Sequence, residues 1–322
     1  MVPVSLSSPG KSIHDVAVCP SLNIFAVSGI TNMVGSFVVD VYDLDLDALS
    51  VGGPLTKRCS LGGPGATAPM NLGFECNSTH GKMAFTDGLS PRPCLLLLSD
   101  MEQRSVHVID VLTQTHVGHV GRPGIFVDTH AVATYASLVA VASNFDIRVF
   151  SGGGATWSCV RMVNVKIMFH YPPRSLQFTR DGSKLVAMVD GRDGAPSVLH
   201  ILQVKDWTFI GSVCTPTSAA DFEDFGDAWL VSAFDFGLFT VNKNVFANDR
   251  TAVVSRSHAS SIALFSRGCF VVTGWCCLHV LTSNDAILMA GMSSLRTAWM
   301  VAAARAVPGR GSGDALRFCK RR

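Results

Sequence analysis

The chain has 322 residues, of which 48% are hydrophobic and 16% charged, with a formal net charge of +2. A typical globular chain is about 25% charged, so this composition excludes disorder along the whole chain, and the balanced charge excludes a strongly basic nucleic-acid module. The longest apolar runs, such as Cys94–Leu98 and Trp299–Ala304, fall far short of the roughly 20 residues that a membrane helix needs.

The opening segment, MVPVSLSSPGKSIHD, has neither a basic stretch nor an apolar run of signal-peptide length, so a cytoplasmic location is expected. A first group of short strands follows at Val16–Val18, Ile24–Ser28, Val39–Leu44 and Cys59–Leu61. Residues 51–69 and 80–93 are rich in Gly and Pro and read as inserted loops. A second group comprises Asn71–Phe74, Leu95–Ser99, Val106–Val111 and His116–Val120. The third takes Ile125–Val127, Leu138–Ala142, Ile147–Phe150 and Val160–Val163. The fourth takes Ser175–Phe178, Leu185–Val189, Leu199–Leu202 and Phe209–Val213, with the Asp181-Gly182 pair supplying a hairpin turn after its first strand. The fifth takes Ala219–Phe222, Trp229–Ala233, Phe239–Val241 and Ala252–Val254. The sixth takes Ile262–Phe265, Cys269–Thr273, Leu278–Leu281 and Ile287–Met289.

The second strands of these groups begin 71, 43, 47, 44 and 40 residues apart. Four short strands recurring at about 40–45 residues are the pattern of propeller blades. A lone four-stranded meander cannot cover both its faces, whereas blades stacked around an axis cover each other. The expected fold is therefore all-β: a six-bladed β-propeller of four-stranded blades over residues 1–292. A C-terminal α-helix is expected at 293–307, where Leu295, Trp299, Ala302, Ala303 and Ala306 share one face and Val307-Pro308-Gly309 ends it. Residues 308–322 read as a disordered basic tail. Either an added strand at Val2–Leu6 or the C-terminal helix would close the ring.

The second group also carries a resemblance. Leu95–Gly121 reads LLLLSDMEQRSVHVIDVLTQTHVGHVG. It resembles the NHL repeat in its apolar strand ending in Asp100, its Arg104 and Val106–Asp110 core, and its closing Gly118 and Gly121. The other groups follow the pattern more loosely, the fourth with Asp190 at the strand end. The resemblance implies a six-bladed propeller with protein or RNA partners. A WD-repeat pattern is less similar, for no Trp-Asp closes a strand.

Several constellations could carry chemistry. Asp100, Asn144, Asp190 and Asp235 stand at equivalent strand ends in four successive groups. They either bond the backbone of the following turn or form a ring of oxygen ligands for Ca²⁺ or Zn²⁺. The second choice would make a metal-dependent lactonase or hydrolase-type propeller enzyme. His107, His200 and His279 recur at one strand position, which points to blade packing. His116 and His119, three apart on a strand, are expected on opposite faces. The acidic stretch Phe222, Glu223, Asp224 and Phe225 is expected as a solvated turn or as an acidic partner-binding patch. The ten cysteines form no C-x-x-C pair and mostly sit in apolar runs, so they are expected as buried small hydrophobes. No G-x-S-x-G or phosphate-binding Gly-Lys-Ser/Thr motif occurs.

The function these features imply is a non-catalytic, NHL-like propeller scaffold for protein–protein interaction, without a cofactor. A protein partner is expected, with no DNA and no membrane. The alternatives are the metal-dependent enzyme and an RNA-binding NHL module.

Overall fold

A computed structural model describes residues 2–4, 11–31, 37–51, 53–61, 82–86, 94–100, 104–122, 124–126, 128–153, 156–164, 171–191, 195–225, 228–233, 237–243, 252–255, 259–265, 268–273 and 277–282. The expected helix at 293–307, the tail at 308–322, the strand at Ile287–Met289 and Asp235 lie outside the described residues.

The described strands form six four-stranded antiparallel sheets. Blade 1 contains β2 (Lys11–Cys19), β3 (Ile24–Thr31), β4 (Phe37–Asp43) and β5 (Lys57–Leu61). Blade 2 contains β6 (Met83–Phe85), β7 (Leu95–Asp100), β8 (Ser105–Asp110) and β9 (Thr115–His119). Blade 3 contains β10 (Ala131–Tyr135), β11 (Leu138–Ala142), β12 (Asp146–Gly153) and β13 (Thr156–Asn164). Blade 4 contains β14 (Pro173–Phe178), β15 (Lys184–Val189), β16 (Val198–Gln203) and β17 (Phe209–Cys214). Blade 5 contains β18 (Asp221–Phe225), β19 (Ala228–Ala233), β20 (Gly237–Asn242) and β21 (Ala252–Ser255). Blade 6 contains β22 (Ala259–Phe265), β23 (Gly268–Thr273) and β24 (Cys277–Thr282).

Blade 6 takes its fourth strand from the other end of the chain. β1 (Val2–Val4) pairs with β24 in the register Val2↔Val280, Pro3↔His279 and Val4↔Leu278. The added N-terminal strand is thus the closure observed. The first strands β2, β6, β10, β14, β18 and β22 contact one another in turn, and β22 returns to β2. This closed ring of inner strands makes the fold a propeller.

The apolar runs are explained by burial on both faces. In β7, Leu96 and Leu98 join a cluster with Val41 and Cys59 of blade 1. Leu95 and Leu97 face the other way, into a cluster with Val141 and Phe150 of blade 3. Each remaining junction has its own cluster: Ile147 with Leu185 between blades 3 and 4, Ile201 with Trp229 between blades 4 and 5, and Leu238 with Ile262 between blades 5 and 6. At the seam between blades 6 and 1, Phe270 stacks on Phe25 with ring centroids 4.5 Å apart.

The structure departs from the expected strands in identifiable places. The first strand of blade 2 is Met83–Phe85, inside the segment expected as a loop; Asn71–Phe74 lies outside the described residues. Three residues are too few to display a period of two. The first strand of blade 3 is Ala131–Tyr135 rather than Ile125–Val127, and Phe126 packs instead against Phe150. A short helix, α1 (Leu46–Val51), interrupts blade 1. Asp45 caps it, its Oδ1 accepting hydrogen bonds from the backbone of Asp47 and Ala48 at 3.0 Å. Cys19, Cys59 and Cys94 are buried as expected, but Cys159, Cys214 and Cys277 are exposed on strands of the outer half of their blades. No described helix is long and apolar enough to cross a membrane.

Candidate functional site

The inner strands enclose a cavity of about 330 Å³ on the axis, lined by residues of all six blades. At one end, side chains from five blades converge. Asp15 enters from β2, Ser175 from β14, Asp221 from β18 and Ser261 from β22, while Lys82 immediately precedes β6. Three of them share a local device. The ladder slips by one residue just before Asp15, Ser175 and Ser261, leaving His14, Arg174 and Ser260 as the extra residues. Such a bulge turns the next side chain out of its normal alternation, and here it turns a polar group toward the axis.

The contacts form one knot. Lys82 Nζ lies 3.1 Å from Asp15 Oδ1 and 2.9 Å from Asp221 Oδ2. Ser261 Oγ lies 2.7 Å from Asp15 Oδ1 and 3.0 Å from Asp221 Oδ2, sharing its single O–H between the two carboxylates. Ser175 Oγ donates to Asp221 Oδ1 at 2.6 Å, and the Met83 backbone N–H donates to Asp15 Oδ2 at 2.7 Å. Burial alone would lower the Lys82 pKa, but the charges of Asp15 and Asp221 outweigh it and raise it above its usual value. Burial raises the Asp15 carboxyl, and Lys82 offsets only part of that rise. Lys82 therefore stays an ammonium held by two carboxylates. It is not a free amine, and both carboxylates accept several hydrogen bonds within the knot.

Further along the axis the lining changes. Glu223 is half-buried and accepts a hydrogen bond from Gln177 Nε2. Gln177 Oε1 in turn accepts from the Asp224 backbone N–H at 2.8 Å. Burial pushes Glu223 up to about 8; the bond from Gln177 opposes this and the charge of Asp221 adds to it. Asp224 is buried, paired with Lys243 and accepting from the Arg180 backbone N–H at 3.0 Å.

The stretch expected as a solvated acidic turn is therefore the inner strand of blade 5. Phe222 is buried against Trp229, with ring centroids 5.7 Å apart. Phe225 is partly buried beside Leu230 and Leu238. Glu223 faces the cavity. The cause is its register, Phe222↔Val231 and Glu223↔Leu230, which puts Phe222 and Glu223 on opposite faces of the strand, Phe222 against Trp229 and Glu223 toward the cavity.

Among the described residues, the strand-end side chains of Asn144 and Asp190 do not meet. Asn144 donates to Asp128, and its Oδ1 lies 2.6 Å from His130 Nε2. Asp190 pairs with Arg174 at 2.7 Å and accepts from Ser197 Oγ at 3.3 Å. Each is tied to residues of its own blade. Asp100 ends β7, and its backbone pairs with Ser105. Of the axial knot, sequence reasoning had singled out only the neighbourhood of Asp221. The others carry a weak local signal, a polar residue in or just before an inner strand, and each comes from a different repeat.

No family model matches the chain, and no curated protein matches it. Solved structures do. A chain in the structure titled "Crystal Structure of Mitotic Checkpoint Complex" is similar over 87% of this chain and 91% of its own, with a TM-score of 0.55 and 11% sequence identity. At that identity the likeness is one of fold alone.

Proposed function

We propose that the chain is a non-catalytic, NHL-like propeller platform that binds a protein partner. The observation that supports this most is the outer rim of blades 3 and 4. Val160 and Met162 on β13 are 53% and 60% exposed, and Phe209 and Ile210 on β17 are 47% and 48% exposed. Both strands are the outermost of their sheets. An outer strand offers unpaired backbone groups, and natural proteins usually blunt such edges with charge. Here apolar side chains accompany the open edge, which is the chemistry that an extended partner segment reads by adding a strand. The axial knot supports the non-catalytic part, because its charges are satisfied by one another.

In the same reading, residues 1–292 are the propeller, 293–307 a closing helix and 308–322 a basic tail, and the protein works in the cytoplasm. The neighbour's title names a complex, in keeping with a partner-binding role. The test is affinity purification with mass spectrometry, comparing the wild type with a Val160→Asp, Met162→Asp double variant. The expected result is a set of proteins enriched with the wild type and lost with the variant. An identical set with both would overturn the assignment to this rim, and no enrichment with the wild type would overturn the platform reading.

A further inference from the structure

Blade 2 carries a cluster that the axial cavity does not use. His107 on β8 stands opposite His119 on β9, and Ile109 stands opposite His116. The ladder slips between Val108 and Ile109, so Val117 is an extra residue on β9. A strand without the bulge would send His116 and His119 to opposite faces, as the sequence spacing predicts. The bulge corrects that expectation, for one extra residue reverses the alternation and both rings join His107 on one face.

The three ring centroids are 4.7–5.3 Å apart. One ligand nitrogen from each ring can be chosen so that all lie within 4.8 Å of one another. His107 Nδ1 and His116 Nε2 are 3.2 Å apart. Two nitrogens bound tetrahedrally at about 2.0–2.1 Å from zinc stand roughly 3.3 Å from each other. That pair is thus already at ligand spacing, and a modest turn of the half-buried His119 ring brings the third nitrogen in. The other nitrogen of His107, Nε2, lies 3.4 Å from Ser105 Oγ, the kind of outer partner that orients a metal-bound imidazole.

We propose that His107, His116 and His119 form a three-histidine site for Zn²⁺ on the outer half of blade 2. The donor set selects the class of ion. Three imidazoles suit zinc and its borderline neighbours, whereas calcium and magnesium require oxygen ligands. His107 is buried and His116 exposed, so the site reaches the surface and its fourth position faces solvent. Bound there, the ion staples the β8–β9 hairpin.

The experiment is titration of the metal-free full chain with Zn²⁺ against a chromophoric chelator, alongside Co²⁺ absorption spectroscopy. The wild type is expected to bind one Zn²⁺ per chain and to give the intense visible bands of tetrahedral Co²⁺. His116→Gln and His119→Gln are each expected to weaken Zn²⁺ at least tenfold and to abolish the Co²⁺ bands. His200→Gln, in blade 4, is expected to bind as the wild type does. Circular dichroism checks that each variant is folded, and the exposed His116 provides the substitution least able to disturb packing. Absence of stoichiometric binding would overturn the site, leaving the three rings as a hydrogen-bonded packing cluster. So would binding that survives both histidine substitutions, which would place the ion on exposed thiols.

Discussion

Lys82 Nζ lies 2.9 Å from Asp221 Oδ2, although the two residues belong to blades 2 and 5, on opposite sides of the ring. With Asp15 of blade 1 as the second carboxylate, one ammonium ties three blades together across the axis. Removing one member of a buried ion pair leaves its partners uncompensated, which costs more than the pair contributes. Lys82→Met is expected to destabilise the protein by about 3 kcal/mol. Adding Asp221→Asn to it is expected to recover part of that loss. Urea unfolding of the two variants and the wild type measures both; equal stability of Lys82→Met and the wild type would contradict the role of the knot.

Glu223 gives the fold a pH dependence of defined sign. Its folded pKa, about 8, lies above its ordinary 4.5. As pH rises between these values the unfolded chain releases this proton while the folded chain retains it, so folding is progressively disfavoured. Below 4.5 the effect is absent, and above 8 it is constant. Glu223→Gln keeps a neutral group in place and removes the dependence. The variant is expected to match the wild type near pH 4.5 and to exceed it by about 1 kcal/mol or more at pH 8. Thermal or urea unfolding across that range checks the divergence, and parallel stability curves would refute it.

Gly182 is the most constrained glycine of the blade 4 hairpin. Its φ is +66°, and a Cβ added there would stand 1.9 Å from the Tyr135 ring of blade 3. Thr179 and Asp181 lock the same turn, since Asp181 Oδ1 accepts from Thr179 Oγ1 at 2.6 Å and from the Ser183 backbone N–H at 3.0 Å. Gly182→Ala therefore meets both a backbone penalty and a collision, with an expected loss of about 2 kcal/mol. A denaturant midpoint unchanged from wild type would show that Tyr135 moves aside freely.

The β1–β24 pairing predicts a consequence for truncation. Deleting residues 1–6 exposes the β24 edge and removes Val4 from the cluster that holds Phe25 and Phe270. The expected result is a lower melting temperature together with concentration-dependent association, because an open apolar edge recruits other edges. Thermal scanning and size-exclusion chromatography test it. A monomer of unchanged stability would show that blade 6 holds without its added strand.

Much of the blade pattern is legible in the residues themselves. Leu95–Leu98 is an unbroken apolar run because both faces of its strand are covered, and the same holds for Leu185–Val189 and, Ser232 apart, for Trp229–Ala233. Asp181-Gly182 marks its hairpin through the left-handed turn that Gly permits. What escapes is non-local or irregular. Nothing in Met83–Phe85 distinguishes it from a loop until its neighbours are in place. Val2–Val4 can be read as a closing strand, but nothing in it sets the register against Leu278–Val280. The axial knot is hidden for the same reason, since Asp15, Lys82, Ser175, Asp221 and Ser261 meet only once the ring is closed. Bulges conceal the rest. A pattern read at period two places His116 and His119 apart, and one extra residue brings them together.

The seam also sets a timetable. β1 leaves the ribosome before every other described strand, and its partner is the last strand described. At about 5–20 residues per second, the nascent chain carries β1 without its partner for tens of seconds. During that interval blades 1 to 5 can assemble as an open arc, each covering its predecessor. Only the final hairpin, β23–β24, gives the N-terminal strand its place. Pro3 lies in that waiting strand, opposite His279 in the finished sheet. A proline has no backbone N–H to offer a passing edge, so the segment that must wait longest is also a poorer partner for the wrong strand.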